Sequence, residues 1–189
     1  MPSTRPGRDR EEKRTELVDA ARRLFVQDGY DATSMAALAR EARVAANTVY
    51  WYVGDKDDVL IAVLDALLAE GLADYASIAD RPLREQLRWT VERLRGMRRL
   101  VATVHARIGR SAALDAWHDA FHASTEGILR AALEGAVDPG AIDAEVRIAV
   151  FAVEGLLTHE LAEQERRAVC DQLAARWVAP EDRPGRPPG

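Results

Sequence analysis

Two groups of residues in this chain could do chemistry by their type and spacing. The first is Asn47, Thr48, Tyr50, Trp51 and Tyr52, followed closely by Lys56. An amide, a hydroxyl, three aromatic rings and an ammonium contain no nucleophile paired with a base. They suit contacts to the base edges and phosphates of a nucleic acid rather than bond-making. The second group is Asp115, His118, Asp119 and His122, whose i, i+3, i+4, i+7 spacing brings them to one face of a helix. That stripe could hold a divalent metal, through Asp115, His118 and His122 in particular. Trp117 and Phe121 mark the neighbouring face as the buried one, so a solvated or dimer-edge polar stripe is the simpler reading. No Ser/His/Asp arrangement, glycine-rich phosphate loop or cysteine cluster is present. Catalysis is therefore not predicted, and neither a metal nor a cofactor is expected.

The elements that must position these residues are helices. Leu17, Ala21, Leu24 and Phe25 share one face of a first helix, which Asp28-Gly29 ends. Thr33 reads as the N-cap of a short helix carrying Met35, Leu38 and Ala39. A turn around Ala42–Val44 leads into a second short helix, about Ala46 to Val53, on which Val49 and Val53 point inward. Gly54-Asp55 breaks it, and Asp55 can cap a long apolar helix through Val59, Val63, Leu67 and Leu68. Short helices followed by a long one are the layout of a helix-turn-helix on a helical body, the second helix of the pair lying in the major groove.

Beyond Asp80-Arg81-Pro82 the helical pattern continues. It runs through Leu83, Leu87, Val91 and Leu94, then Leu100, Val101, Val104 and Ile108, then Ala112 to Gly135. Asp138-Pro139-Gly140 is a turn, and helices over about Ile142–Leu161 and Glu163–Trp177 follow. The expected fold is all-α with about nine helices: a three-helix N-terminal domain on a ligand-binding and dimerisation body. The expected divisions are a flexible basic arm (1–14), the helix-turn-helix domain (15–56), the body (57–178) and a disordered tail (179–189).

Composition sets the outer bounds. The 189 residues are 48% hydrophobic and 30% charged, ordinary for a globular protein. No apolar run approaches the roughly 18 residues that span a bilayer, and Met1–Arg14 has no signal-peptide core. Cys170 stands alone, so no internal disulfide forms. A cytoplasmic protein without membrane contact is expected. The net charge of -5 argues on its face against nucleic acid, but a DNA reader needs only a local basic surface.

The run Asn47-Thr48-Val49-Tyr50-Trp51-Tyr52-Val53, then Lys56 and Val59-Leu60, resembles the TetR-family signature. Upstream, Gly29-Tyr30, Thr33-Ser34 and Leu38-Ala39 resemble the same family's lead-in. Two linked blocks at matching spacing are more specific than one short motif. The resemblance implies a transcriptional regulator, usually a repressor released from a palindromic double-stranded operator by a small-molecule effector. It implies that Tyr50 and Lys56 meet phosphates, that Thr33 and Ser34 bring a helix N-terminus to another, and that Ala46, Asn47, Thr48, Trp51 and Tyr52 face bases or the sugar–phosphate wall. Three departures stand out. Arg43 takes a turn position usually glycine, at a cost on the order of 1 kcal/mol if its backbone is left-handed, although it could meet a phosphate there. Ala45 replaces a capping residue worth roughly 1 kcal/mol. The recognition helix has no Arg or Lys to grip guanine. These departures, with the acidic balance, keep open a regulator that acts by protein contacts without DNA.

In the body, Val146, Val150, Val153 and Leu157 form one stripe of Ile142–Leu161, while Ile148, Phe151 and Ala152 form another. A helix apolar on two sides is buried on both, and a second subunit is the simplest cover. Gly155 permits close approach, and Val169, Leu173 and Trp177 add a stripe on the last helix, so a homodimer through these residues is expected. Trp89, Val101, Val104, His105, Trp117, Phe121, Phe151 and Glu154 are the candidate lining of an effector pocket. Glu154, a carboxylate among Val153, Leu156 and Leu157, could meet a cationic effector or pair with an arginine such as Arg107.

Overall fold

The computed structural model describes residues 6–177, with side chains from Arg10 onward. The expected tail (179–189) and the first five residues of the expected arm lie outside that range. Nine α-helices and no named strand are present among the described residues. They are α1 (Pro6–Gln27), α2 (Met35–Glu41), α3 (Ala46–Tyr52), α4 (Lys56–Ala76), α5 (Leu83–Gly96), α6 (Arg98–Arg107), α7 (Ala112–Leu133), α8 (Ile142–Thr158) and α9 (Glu163–Ala175). The helix α1 reaches back to Pro6, into the segment expected to be a flexible arm; proline is favoured in a first helical turn, where its missing N–H costs nothing. No described helix is long and apolar enough to cross a membrane.

The chain forms two compact units. The first comprises residues to Asp74 together with Arg99–His118. Its core joins Leu17, Ala21 and Phe25 of α1 to Leu38, Val49, Leu60 and Val63, with Leu100, Val104 and Leu114 from the later segment. The inward face of α4 explains why this unit extends well past Lys56, where the sequence divides head from body. Val59, Leu60, Val63, Leu64 and Leu67 are all buried within the unit. Gly29 ends α1 at φ +90, its N–H and that of Asp28 both donating to the Leu24 carbonyl; a side chain at that φ would be strained.

The second unit comprises Tyr75–Arg98 and the described residues from Asp119 onward. Here α5 packs on α8 and α9 around Leu87, Val91, Leu133, Val146, Leu156, Leu173 and Trp177. The buried Gln86 holds the turn before α5: it accepts from the Tyr75 hydroxyl and donates to the Ala79 (2.8 Å) and Arg81 (2.6 Å) carbonyls. Each polar atom of its amide is thereby satisfied, without which burial would be costly. Trp177 is 2% exposed and donates its indole N–H to Glu145 at 3.1 Å, beside the Arg176–Glu145 ion pair. Trp177→Ala is expected to destabilise the protein by about 3–5 kcal/mol, read as a lower urea midpoint with an unchanged slope.

Candidate nucleic-acid interface

The α2–turn–α3 segment is held by contacts with traceable causes. Ser34, not Thr33, is the N-cap of α2, its Oγ accepting from the Ala37 N–H at 3.1 Å. Thr33 is 2% exposed, and its hydroxyl donates to the Gly29 carbonyl at 2.8 Å. The expectation that Thr33 caps the helix is therefore corrected: its hydroxyl faces inward and closes the α1–α2 turn. Arg43 has φ +56, so the left-handed turn position is indeed filled by a side-chain-bearing residue. The Val44 N–H closes the turn onto the Ala39 carbonyl at 2.9 Å. Ala45 precedes α3 with no side-chain cap.

On α3, Val49 is buried at 1% exposure and fixes the helix to the first unit's core. That leaves Ala46, Asn47, Tyr50 and Trp51 exposed, with Thr48 and Tyr52 half-buried. Trp51 is 63% exposed, its ring edge-on to Tyr52 with centroids 4.6 Å apart, and the Arg10 guanidinium of α1 sits 4.8 Å from its centroid. No charged residue lies on α3 itself.

The anchor beside it is built at the start of α4. Asp55 accepts from the Asp57 and Asp58 N–H groups at 2.8 and 3.0 Å, while Asp58 accepts from the Asp55 N–H at 2.9 Å. Gly54, at φ +109, leaves the Asp58 carboxylate room; a Cβ there would meet it at 2.2 Å. Lys56 sits over the Tyr30 ring with Nζ 4.1 Å from the centroid, and Arg107 of α6 approaches the same ring to 5.0 Å. Asp57 ties the group together, accepting from Arg107 Nη2 at 2.6 Å and from the Tyr30 hydroxyl. Burial acts to raise the Asp57 pKa, but hydrogen bonds from Arg107 and Tyr30 outweigh it and hold the carboxyl below its ordinary value. Burial, reinforced by Asp57, pushes the Tyr30 hydroxyl up, and partial burial lowers the Lys56 ammonium.

The residues expected to line an effector pocket fall in different units. Val101, Val104, His105 and Trp117 belong to the first, where Val104 is buried, His105 lies edge-on to His118, and Trp117 donates to Asp65 at 2.8 Å. Trp89, Phe121, Phe151 and Glu154 belong to the second. There Glu154 lies 3.7 Å from His122 Nε2, not against Arg107, which Asp57 engages. Trp89 lines a cleft of about 510 Å³ with Arg88, Arg93, Arg166 and Cys170, between α5 and α9. No group of three His, Cys, Asp or Glu residues able to hold a metal occurs among the described residues. Asp115 instead accepts from the Gly109 N–H at 2.9 Å.

The dimer expectation also needs correction in its residues. Val146, Leu173 and Trp177 are buried in the second unit's own core, so they have no surface left for a partner. Val150, Val153, Gly155 and Leu157 are half-buried, and Val169 is exposed. The apolar surface left on α8 is Ile148 and Phe151, the latter 63% exposed. The second stripe in the sequence carried that signal; periodicity alone does not say which stripe the protomer's own core will take.

Residues 17–63, which contain α2, α3 and the start of α4, match the family described as bacterial regulatory proteins, tetR family. The HTH-type transcriptional regulator HbdR of Aromatoleum sp. (strain CIB) is 43% identical over 58 residues, 31% of this chain and 25% of that protein. The first curated relatives are thus matched over about a quarter of their length. A TetR transcription regulator of Haloarcula marismortui has the same fold, with TM-score 0.74 and 16% identity over 89% of this chain and 100% of that one. A transcriptional regulator of Saccharomonospora viridis, solved in complex with choline, is similar at TM-score 0.72 and 15% identity over 87% and 96%.

The surroundings of Asp57 set the sign of its expected pH-dependent contribution to stability. Its folded pKa is depressed, so its stabilisation is present above the ordinary carboxylate value near 4 and is lost as pH falls through the lower folded value. Asp57→Asn should therefore flatten the acid limb of stability measured by urea unfolding at stepped pH. A limb as steep as the wild type's would show that the junction contributes nothing. Residues 17–63 thus match the tetR family of bacterial regulatory proteins, and the chain as a whole has the fold of solved TetR regulators.

Proposed function

We propose that this protein is a homodimeric transcriptional regulator that binds a near-palindromic DNA operator and responds to a small-molecule effector. The observation that carries the reading is the exposed, uncharged face of α3 beside Lys56. Asn47, Tyr50 and Trp51 project from a helix whose opposite side, Val49, is buried. A helix so mounted can enter a major groove while its flanks meet phosphates. Asn47 can pair with adenine, and Thr48, Ala46 and Trp51 can contact thymine methyls. Tyr50, Ser34, Arg43 and Lys56 are the phosphate contacts. Repression relieved by effector is the mode that family habit favours, and the cytoplasm is where such a regulator meets its DNA.

The exposed Ile148, Phe151 and Val169 are the proposed dimer face, since a second copy would cover apolar surface that the protomer leaves in water. The effector would act in the body, shifting the helix that begins at Lys56 and so the spacing of the two heads. Affinities for DNA and effector are then reciprocally linked.

Three measurements test this reading. Footprinting on the DNA upstream of the gene should reveal a protected near-palindrome. Lys56→Ala and Tyr50→Phe should weaken binding to every sequence, while Asn47→Ala should change base preference. The slope of log K against log salt should be modest, at roughly 0.9 per phosphate contacted; a slope implying a dozen contacts per subunit would overturn the proposed surface. Retention of no fragment at low salt without effector would favour a regulator that works by protein contacts instead. Separately, Phe151→Glu should convert the dimer to monomer in sedimentation velocity, and an undisturbed dimer would exclude this face.

A further inference from the structure

We propose that Arg10 of α1 supplies the recognition surface with the cation that α3 lacks, meeting a DNA phosphate from a position set by the Trp51 ring. This deepens the DNA-binding reading above and rests on it. The helix α3 has no charged residue, and the chain as a whole carries a net charge of -5. Attraction to a polyanion must therefore come from neighbouring elements.

Three other cations of α1 are engaged by carboxylates. Lys13 pairs with Glu16 at 2.6 Å, Arg22 with Glu70 at 2.6 Å, and Arg23 with Glu41 at 3.0 Å. Arg10 is placed differently. Its guanidinium lies 4.8 Å from the centroid of Trp51, the most exposed aromatic ring of α3. The distinction is chemical. A carboxylate takes up the N–H edge of a guanidinium and cancels its charge. An aromatic ring uses its flat face and leaves both the charge and the in-plane N–H donors available. A stacked arginine is thus oriented and still able to grip a phosphate bidentately. The same contact gives Trp51 a second role, as the platform that carries this cation.

The test compares wild type, Arg10→Ala, Arg10→Lys, Trp51→Leu and the Arg10→Ala/Trp51→Leu pair. Each is titrated by fluorescence anisotropy, across a salt series, against an operator-bearing duplex and an unrelated duplex. Arg10→Ala should weaken binding to both duplexes alike and reduce the salt slope by about 0.9 per subunit, one phosphate contact. Arg10→Lys should restore the slope but only part of the affinity, because an ammonium has no flat face to stack. In the Trp51→Leu background, Arg10→Ala should cost clearly less than in wild type. Arg10→Ala that binds like wild type, or losses at the two positions that simply add, would overturn the proposal while leaving the DNA-binding reading intact. A lowered melting temperature in Arg10→Ala with no change of slope would assign Arg10 a structural role and overturn it equally. Wild-type protein that holds neither duplex would overturn both readings together.

Discussion

The interaction on which the rest of this region depends is the sharing of one carboxylate by three segments. Asp57 sits one residue into α4, accepts from Arg107 at the end of α6, and accepts from Tyr30 in the turn after α1. Each contact alone would be modest. Together they hold a half-buried negative charge between two donors, where it is more stable ionised than protonated. Lys56 is the neighbour of that carboxylate and lies on the Tyr30 ring. The ring therefore has a cation on it from α4 and another from α6. Lys56 and Arg107 thus share the Tyr30 ring, which Asp57 holds in place through the Tyr30 hydroxyl.

Beside that junction, α3 rests on α1 and α2. It is seven residues long, lacks a side-chain cap and is fixed to the core chiefly by Val49. The turn before it carries Arg43 in a left-handed conformation that costs on the order of 1 kcal/mol relative to glycine. The division of labour follows. In the proposed function, affinity would come from flanking phosphate contacts, and sequence preference from a small, uncharged face. In that proposal, such a surface would read thymine methyls and adenine edges more readily than guanine.

Much of this was legible in the sequence, for identifiable reasons. The helices announced themselves because apolar residues recur at helical spacing and Gly29, Gly54 and Pro139 punctuate them. Asp55 as cap and Val49 as anchor follow from local pattern. Other assignments turned on partners that local pattern cannot name. Thr33 and Ser34 are adjacent and both suit an N-cap; only the fold shows that Ser34 caps α2 while Thr33 turns its hydroxyl back to Gly29. Glu154 and Arg107 looked like possible partners by charge, yet the fold sets Arg107 against Asp57 and Glu154 near His122.

By itself, then, the sequence determined the all-α class, the helix-turn-helix and the family signature it carries, because these depend on periodicity, capping and motif spacing within short stretches. Tertiary structure alone decided which of two apolar stripes on α8 enters the core, which carboxylate Arg107 serves, and that Arg10 stands over Trp51. The physical reason is the same in each case. A helix presents several faces of nearly equal merit, and a charged side chain has several equally suitable partners. The choice among them is made by packing between segments far apart in the chain, which no local pattern encodes.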